Sequence, residues 1–191
     1  MVLLTALGAG LVFGLAYSRW QGIPYRPPEL RANWLAFLAF LPQLIVLYLP
    51  YRVSDQISAL CLLASLPIFL GFTWVNRNVS GMKILLLGLT LNFTVMAANG
   101  GFMPISPQTA GQLVSENVLL DFQPGDRFGT KDIYLTPERT RLEWLADRFL
   151  TPVWISHRVA FSFGDIFIAI GAFSILAFSS LVEIKNRGIP I

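Results

Sequence analysis

Charge is what this sequence has least of. Only 13% of its 191 residues are Asp, Glu, Lys or Arg, against roughly a quarter in ordinary soluble domains. Cysteine and histidine are each present once, as Cys61 and His157. A lone cysteine excludes an intrachain disulfide and a thiolate cluster, and a lone histidine without other strong ligands does not make a zinc or haem centre. No metal or cofactor is therefore expected. Walker loops, dinucleotide fingerprints, nucleophile elbows and internal repeats are also missing. The net charge is +3, but the basic residues are scattered at the edges of apolar runs, so no nucleic-acid partner is expected.

What the sequence has instead is apolar length: 54% of residues are hydrophobic and the mean hydropathy is +0.61. A helix of about 20 residues, at about 1.5 Å per residue, crosses a hydrocarbon core of about 30 Å. Apolar runs over about 2–17, 34–49, 57–75, 84–98 and 163–182 predict an all-α polytopic transmembrane helix bundle of about five spans in the lipid bilayer. Pro24, Pro27 and Pro28 break the chain after the first run, Pro50 ends the second, and Asn99, Gly100, Gly101 and Pro104 end the fourth. Pro42 and Pro67 fall inside spans and predict kinks. The first run has no basic leader and reads as a retained span, not a signal peptide.

Basic residues in short connectors stay on the cytoplasmic side. Arg19, Arg26, Arg31, Arg77 and Lys83, with Lys185 and Arg187 in the tail, outweigh the single Arg52 on the other side. This predicts a bacterial cytoplasmic (inner) membrane protein with its N-terminus outside and its C-terminus cytoplasmic. The chain divides into residues 1–98 with four spans, 99–160 as an extracytoplasmic segment, and 161–191 with the last span and tail. Within 99–160, Ser106-Pro107 and Thr136-Pro137 each predict a helix start, the second helix reaching Phe149. QPGD predicts a turn and KDIYL a short strand. Trp144 and Trp154 suit a headgroup boundary.

Asp165 sits near the start of the last span, where a carboxylate invites a functional explanation. Ser162 three residues earlier satisfies a capping box, and Phe161 and Ile166 satisfy a hydrophobic staple. Gly88, Asn92 and Asn99 share one helical face, and an asparagine in lipid needs a partner on another helix. Asn92, Asn99, Ser162 and Asp165 are thus expected to form a polar pocket near the outer surface. Ala6, Gly10, Gly14 and Ser18 recur every fourth residue, a helix-packing stripe for a neighbour within the bundle or on another protein.

FSFGD resembles the Phe-Asn-x-Ala-Asp motif opening the last span of lipoprotein signal peptidase, with Ser162 for Asn and Gly164 for Ala. That resemblance implies an intramembrane aspartyl hydrolase with Asp165 and Asp147 as catalytic acids. More of the chain is similar to a bacterial family of small multi-pass membrane proteins, domain of unknown function 5317. The similarity rests on Asn99-Gly100-Gly101-x-Met103-Pro104, on Thr140-Arg141-Leu142 followed by Leu145-x-Asp147, and on Ser162-x-Gly164-Asp165. Ala146 departs from the glycine expected there, which puts a tight turn in question. Family resemblance implies architecture, not activity. The leading expectation is an accessory or scaffold subunit packing against other membrane protein subunits. The hydrolase is the alternative, and a small carrier built on Gln43 and Asn92 between kinked helices is third.

Overall fold

The computed structural model describes residues 2–48, 53–153 and 158–179. Pro50, Arg52, Trp154, His157, Lys185 and Arg187, and the end of the last expected span, lie outside the described residues. Five of the apolar runs form helices: α1 (Val2–Trp20), α2 (Asn33–Tyr48), α3 (Asp55–Val75), α4 (Met82–Ala98) and α7 (Phe163–Ala177). Two of them, over Leu3–Trp20 and Asp55–Val75, are long and apolar enough to cross a membrane, while α2, α4 and α7 are shorter apolar helices.

The five helices pack in the order α1, α7, α4, α3, α2. Small residues set the two closest seams. A Cβ at Gly10 would stand 2.5 Å from Phe173 O and one at Gly14 2.6 Å from Leu176 O, so α1 and α7 run parallel. The stripe of Ala6, Gly10, Gly14 and Ser18 is therefore spent inside the protein, with Ser18 2% exposed. On the other side of α7, Gly88 faces Gly164 and Ile168 while Gly81 faces Gly171 and Ile175, so α4 is antiparallel. Phe40 meets Phe69 edge-on at 4.9 Å, and Gln43 Nε2 donates to Ser65 Oγ at 3.0 Å, joining α2 to α3. Pro42 and Pro67 both lie within helices. At the basic end of the row, Asn76 closes on the backbone of Arg31 with two hydrogen bonds, 2.7 and 2.9 Å.

The segment between α4 and α7 corrects the all-α expectation. Strands β1 (Met103–Ile105), β2 (Arg127–Phe128) and β3 (Asp132–Tyr134) form a sheet in the order β1-β3-β2, and β4 (Phe149–Leu150) pairs with β5 (Ala160–Phe161). KDIYL is the central strand, as its composition predicts. Ser106 caps α5 (Pro107–Ala110), accepting from Thr109 N at 3.2 Å, but this helix and α6 (Glu116–Leu119) last only four residues each.

The helix expected from Thr136 to Phe149 does not form. Two 3₁₀ turns, Pro137–Arg139 and Glu143–Leu145, stand in its place. Their separation has a physical cause: Asn99 takes the Arg141 amide, Leu142 turns left-handed at φ 55°, and the Asp147 amide goes to Pro104 O. Each of these withdraws a donor or a dihedral from the i to i−4 ladder. Ala146 is extended, φ −65° and ψ 166°, so no glycine-dependent turn occurs there.

Candidate functional site

The start of α7 is built by its own sequence. Ser162 is the N-cap; its Oγ accepts from Asp165 N at 3.2 Å, and Asp165 Oδ2 accepts from Ser162 N at 3.0 Å. The capping box satisfies helix-end donors that have no partner within the helix. Asn92 on α4 then joins both cap residues: its Nδ2 donates to Asp165 Oδ1 at 3.0 Å, and its Oδ1 accepts from Ser162 Oγ at 3.0 Å. Gly164 makes room for this, because a Cβ there would overlap the Asn92 amide.

Asn99 does not join that group. It sits at the end of α4 and is used up by the segment above, donating to Val95 O and Arg141 O, each at 2.8 Å, and accepting from Arg141 N at 2.9 Å. The expected pocket thus holds Asn92, Ser162 and Asp165, while Asn99 pins the Arg141 turn. Gln43 and Asn92, paired in the carrier reading, lie in different seams, α2 with α3 and α4 with α7.

Asp147 is fully buried, with no exposed side-chain surface. Its amide donates to Pro104 O at 3.0 Å, and it bridges Ile105 alongside β1. Its carboxylate Oδ2 accepts from Lys131 Nζ at 2.5 Å, and the same ammonium donates to Asp132 Oδ1 at 2.9 Å. Lys131 and Asp132 were legible only as the start of a strand. Nothing in their spacing from Asp147, sixteen residues away in irregular chain, announces the cluster.

The electrostatics tie Asp165 to it. Burial pushes the Asp147 carboxyl up to about 7; Lys131 opposes this, and the charges on Asp132 and Asp165 add to it. Asp132 is likewise raised by burial, against the pull of the Lys131 ammonium that donates to it, with Asp165 raising it further. Burial works against the Lys131 ammonium, yet the combined charge of Asp132, Asp147 and Asp165 wins and raises it well above the usual lysine value. Three carboxyls and one ammonium therefore share one field, in which the Asp147 side chain is fully buried and the Lys131 side chain is 43% exposed.

A second tie joins the segment to α3. Arg127 donates to Ser58 Oγ at 2.9 Å and to Thr130 O at 3.0 Å, approaches Asp55 at 3.5 Å, and lies over the Phe102 ring. Arg127, Asp55 and Phe102 border a cleft of about 180 Å³ that also touches Gln56, Gly100 and Ile133. Among the described residues no group of three or more His, Cys, Asp or Glu is arranged to hold a metal ion.

These features define a mostly helical protein with two helices long and apolar enough to span a membrane and a small mixed segment fastened across the ends of α3, α4 and α7. The model of a family of unknown function, DUF5317, matches residues 28–177, and the chain belongs to that family. An uncharacterized protein of Thermotoga maritima is 28% identical over 166 residues, covering 84% of this chain and 85% of the relative. No solved structure matches significantly.

Proposed function

We propose that the chain is a five-pass protein of the bacterial inner membrane that acts as an accessory or scaffold subunit, with the segment over 99–160 outside. Helix direction is the observation that carries the five-pass reading. Alternating passes make the first and fifth run the same way and the fourth and fifth run opposite ways, which agrees with α7 lying parallel to α1 and antiparallel to α4. The same alternation gathers Arg19, Arg26, Arg31, Arg77 and Lys83 at the end away from the segment, in keeping with retention of basic residues in the cytoplasm.

The accessory role is supported by how the polar groups are used. Asn92, Asn99, Ser162 and Asp165 are each engaged by internal partners, whereas edge helix α2 presents Trp34, Phe37, Leu41 and Tyr48, all more than half exposed. A photocrosslinking residue at Phe37 tests this in intact membranes. A defined protein adduct supports the accessory role, and adducts to lipid alone remove it. Thiol labelling at Asp121 and Asn78, in a Cys61→Ser background, tests the topology. Labelling of Asp121→Cys without permeabilisation and of Asn78→Cys only after it is expected; the reverse pattern inverts the orientation.

The hydrolase reading has one observation in its favour, since Asp147 lies within the field of Asp165. Its pair is altered, because Lys131 draws Asp132, not Asp165, to Asp147, and both Asp165 oxygens serve the cap and Asn92. Loss of a proteolytic activity in Asp147→Asn with the fold retained is the result it requires.

A further inference from the structure

Counting charge at the Lys131 cluster leaves an imbalance. One ammonium faces Asp132 and Asp147 directly, and Asp165 acts on all three from the start of α7. Full ionisation would therefore leave two uncompensated negative charges around Asp147, whose side chain has no contact with solvent. Burying an unpaired carboxylate is among the costliest arrangements a protein can adopt, and the ordinary escape is to take up a proton.

The hydrogen bonding shows where that proton fits. Asp147 Oδ2 is served by Lys131, but Asp147 Oδ1 is buried and has no hydrogen-bond partner among the described residues. A carboxylate carries only acceptors, so two carboxylates side by side cannot satisfy each other; one protonated member becomes a donor and can. Asp132 and Asp147 are held to one nitrogen, Asp132 of β3 pairs with Met103 of β1 while Asp147 bridges Ile105, and the register of β1 with β3 fixes their approach.

We propose that Asp132 and Asp147 form a carboxyl–carboxylate pair that binds one proton between them, and that this proton, together with the Lys131 ammonium, holds the Asp147 turn against β1 and β3 within the segment over 99–160. The pair consists of Asp132 from β3 and Asp147 from the turn beyond Leu145, and the groups that face it are Lys131, just before β3, and Asp165 from α7; β1 offers Met103, Pro104 and Ile105, which do not titrate. With the proton bound, the excess charge is one instead of two, the Oδ1 atom gains a partner, and the Asp147 amide stays on Pro104 O. Loss of the proton restores the repulsion at the joint that carries Asp147 against β1. The site is thus a proton-operated fastening, and the value of about 7 for Asp147 puts its operation close to neutrality. It requires neither the accessory role nor the proposed orientation.

Infrared difference spectroscopy of the full chain in lipid nanodiscs, reading the carbonyl band of a protonated carboxyl, tests the site. The wild type is expected to lose such a band with a midpoint at about 7. Asp147→Asn should abolish that titration. Asp132→Asn, by removing a neighbouring negative charge, should shift the midpoint downward, and Lys131→Met, by removing the cation, should shift it upward. The two neighbouring substitutions keep the test decisive if Asp147→Asn fails to fold. The proposal is overturned if no carboxyl band titrates between the ordinary carboxylate range and neutrality, if the band survives in Asp147→Asn, or if neither neighbouring substitution moves the midpoint.

Discussion

Asn92 of α4 meets Asp165 of α7 at 3.0 Å and, through its other amide atom, meets Ser162, the residue that caps the same helix. One side chain thus bonds to both halves of a capping box on its neighbour. The acid in the first turn of α7 needs no substrate to account for it: its carboxylate completes the cap and anchors the α4–α7 seam. Asn92→Ala would leave Asp165 Oδ1 without its donor and return Ser162 Oγ to Asp165 Oδ2 alone, at 3.2 Å, in a water-poor seam. A loss of about 1–3 kcal/mol is expected, read as a lower midpoint of unfolding in detergent or nanodiscs. An unchanged midpoint would mean that water replaces the amide.

Gly164 and Gly8 offer a paired test of that seam. Alanine at Gly164 would drive a methyl group into the Asn92 side chain and towards Gly88 O, whereas at Gly8 nothing lies within 4 Å. Gly164→Ala is expected to destabilise by about 1–3 kcal/mol through overpacking, while Gly8→Ala should be neutral or stabilising by up to about 1 kcal/mol, since alanine is the better helix former. Circular-dichroism melts of both variants in the same detergent check this. Equal melting temperatures would show that α4 and α7 do not approach as closely as their glycines imply.

The five helices could be read in the sequence because each is an apolar run, the first four of them closed by Pro, Gly or Asn, and such a run satisfies its own backbone groups as a helix. The small-residue stripe on α1 was equally legible, though its partner was not, since spacing does not say that Gly10 meets Phe173. Legibility fails in the segment after Asn99. Its strands are two or three residues long, too short for an alternating pattern to register, and they exist through pairing between Met103 and Asp132 or Phe149 and Phe161. The helix expected after Thr136 had sound local signals, and tertiary hydrogen bonds from Asn99 and Pro104 overrode them. Asp147 was noticed as an acid, but its partner was sought on α7, because Lys131 and Asp132 reach it only through the sheet.

Asn99 makes the strongest claim on that overridden helix. Its side chain holds both the amide and the carbonyl of Arg141 and precedes Leu142, a left-handed non-glycine residue. Such a conformation costs about 1–3 kcal/mol and persists only where its surroundings hold it. Asn99→Ala should release the turn, with faster hydrogen exchange at the Arg141 and Leu145 amides while exchange within α4 is little changed. Leu142→Gly in the same background should recover part of the loss, because glycine adopts this conformation without strain. Exchange rates that do not respond to Asn99→Ala would place the restraint elsewhere.

The Lys131 cluster gives stability a definite dependence on pH. Asp132 and Asp147 are raised above the ordinary carboxylate value, so the folded chain keeps protons that the unfolded chain has already released. The state binding more protons is favoured by acid, and these two groups make the fold less stable as pH rises from the ordinary carboxylate range to about 7, the folded value for Asp147. Above that the contribution levels off. Lys131, raised well above the usual lysine value, keeps its stabilising contribution until the medium is strongly alkaline. At one proton per molecule the slope reaches about 1.4 kcal/mol per pH unit, or about 3 °C in melting temperature for a chain of this size. Other carboxylates add slopes of their own, so the quantity to measure is the difference between the wild type and Asp147→Asn. The variant's melting temperature should depend less steeply on pH below neutrality, and above neutrality it should equal or exceed the wild type's, because the neutral amide cannot become a buried charge. A variant that tracked the wild type at every pH would show that Asp147 has its charge balanced without a proton.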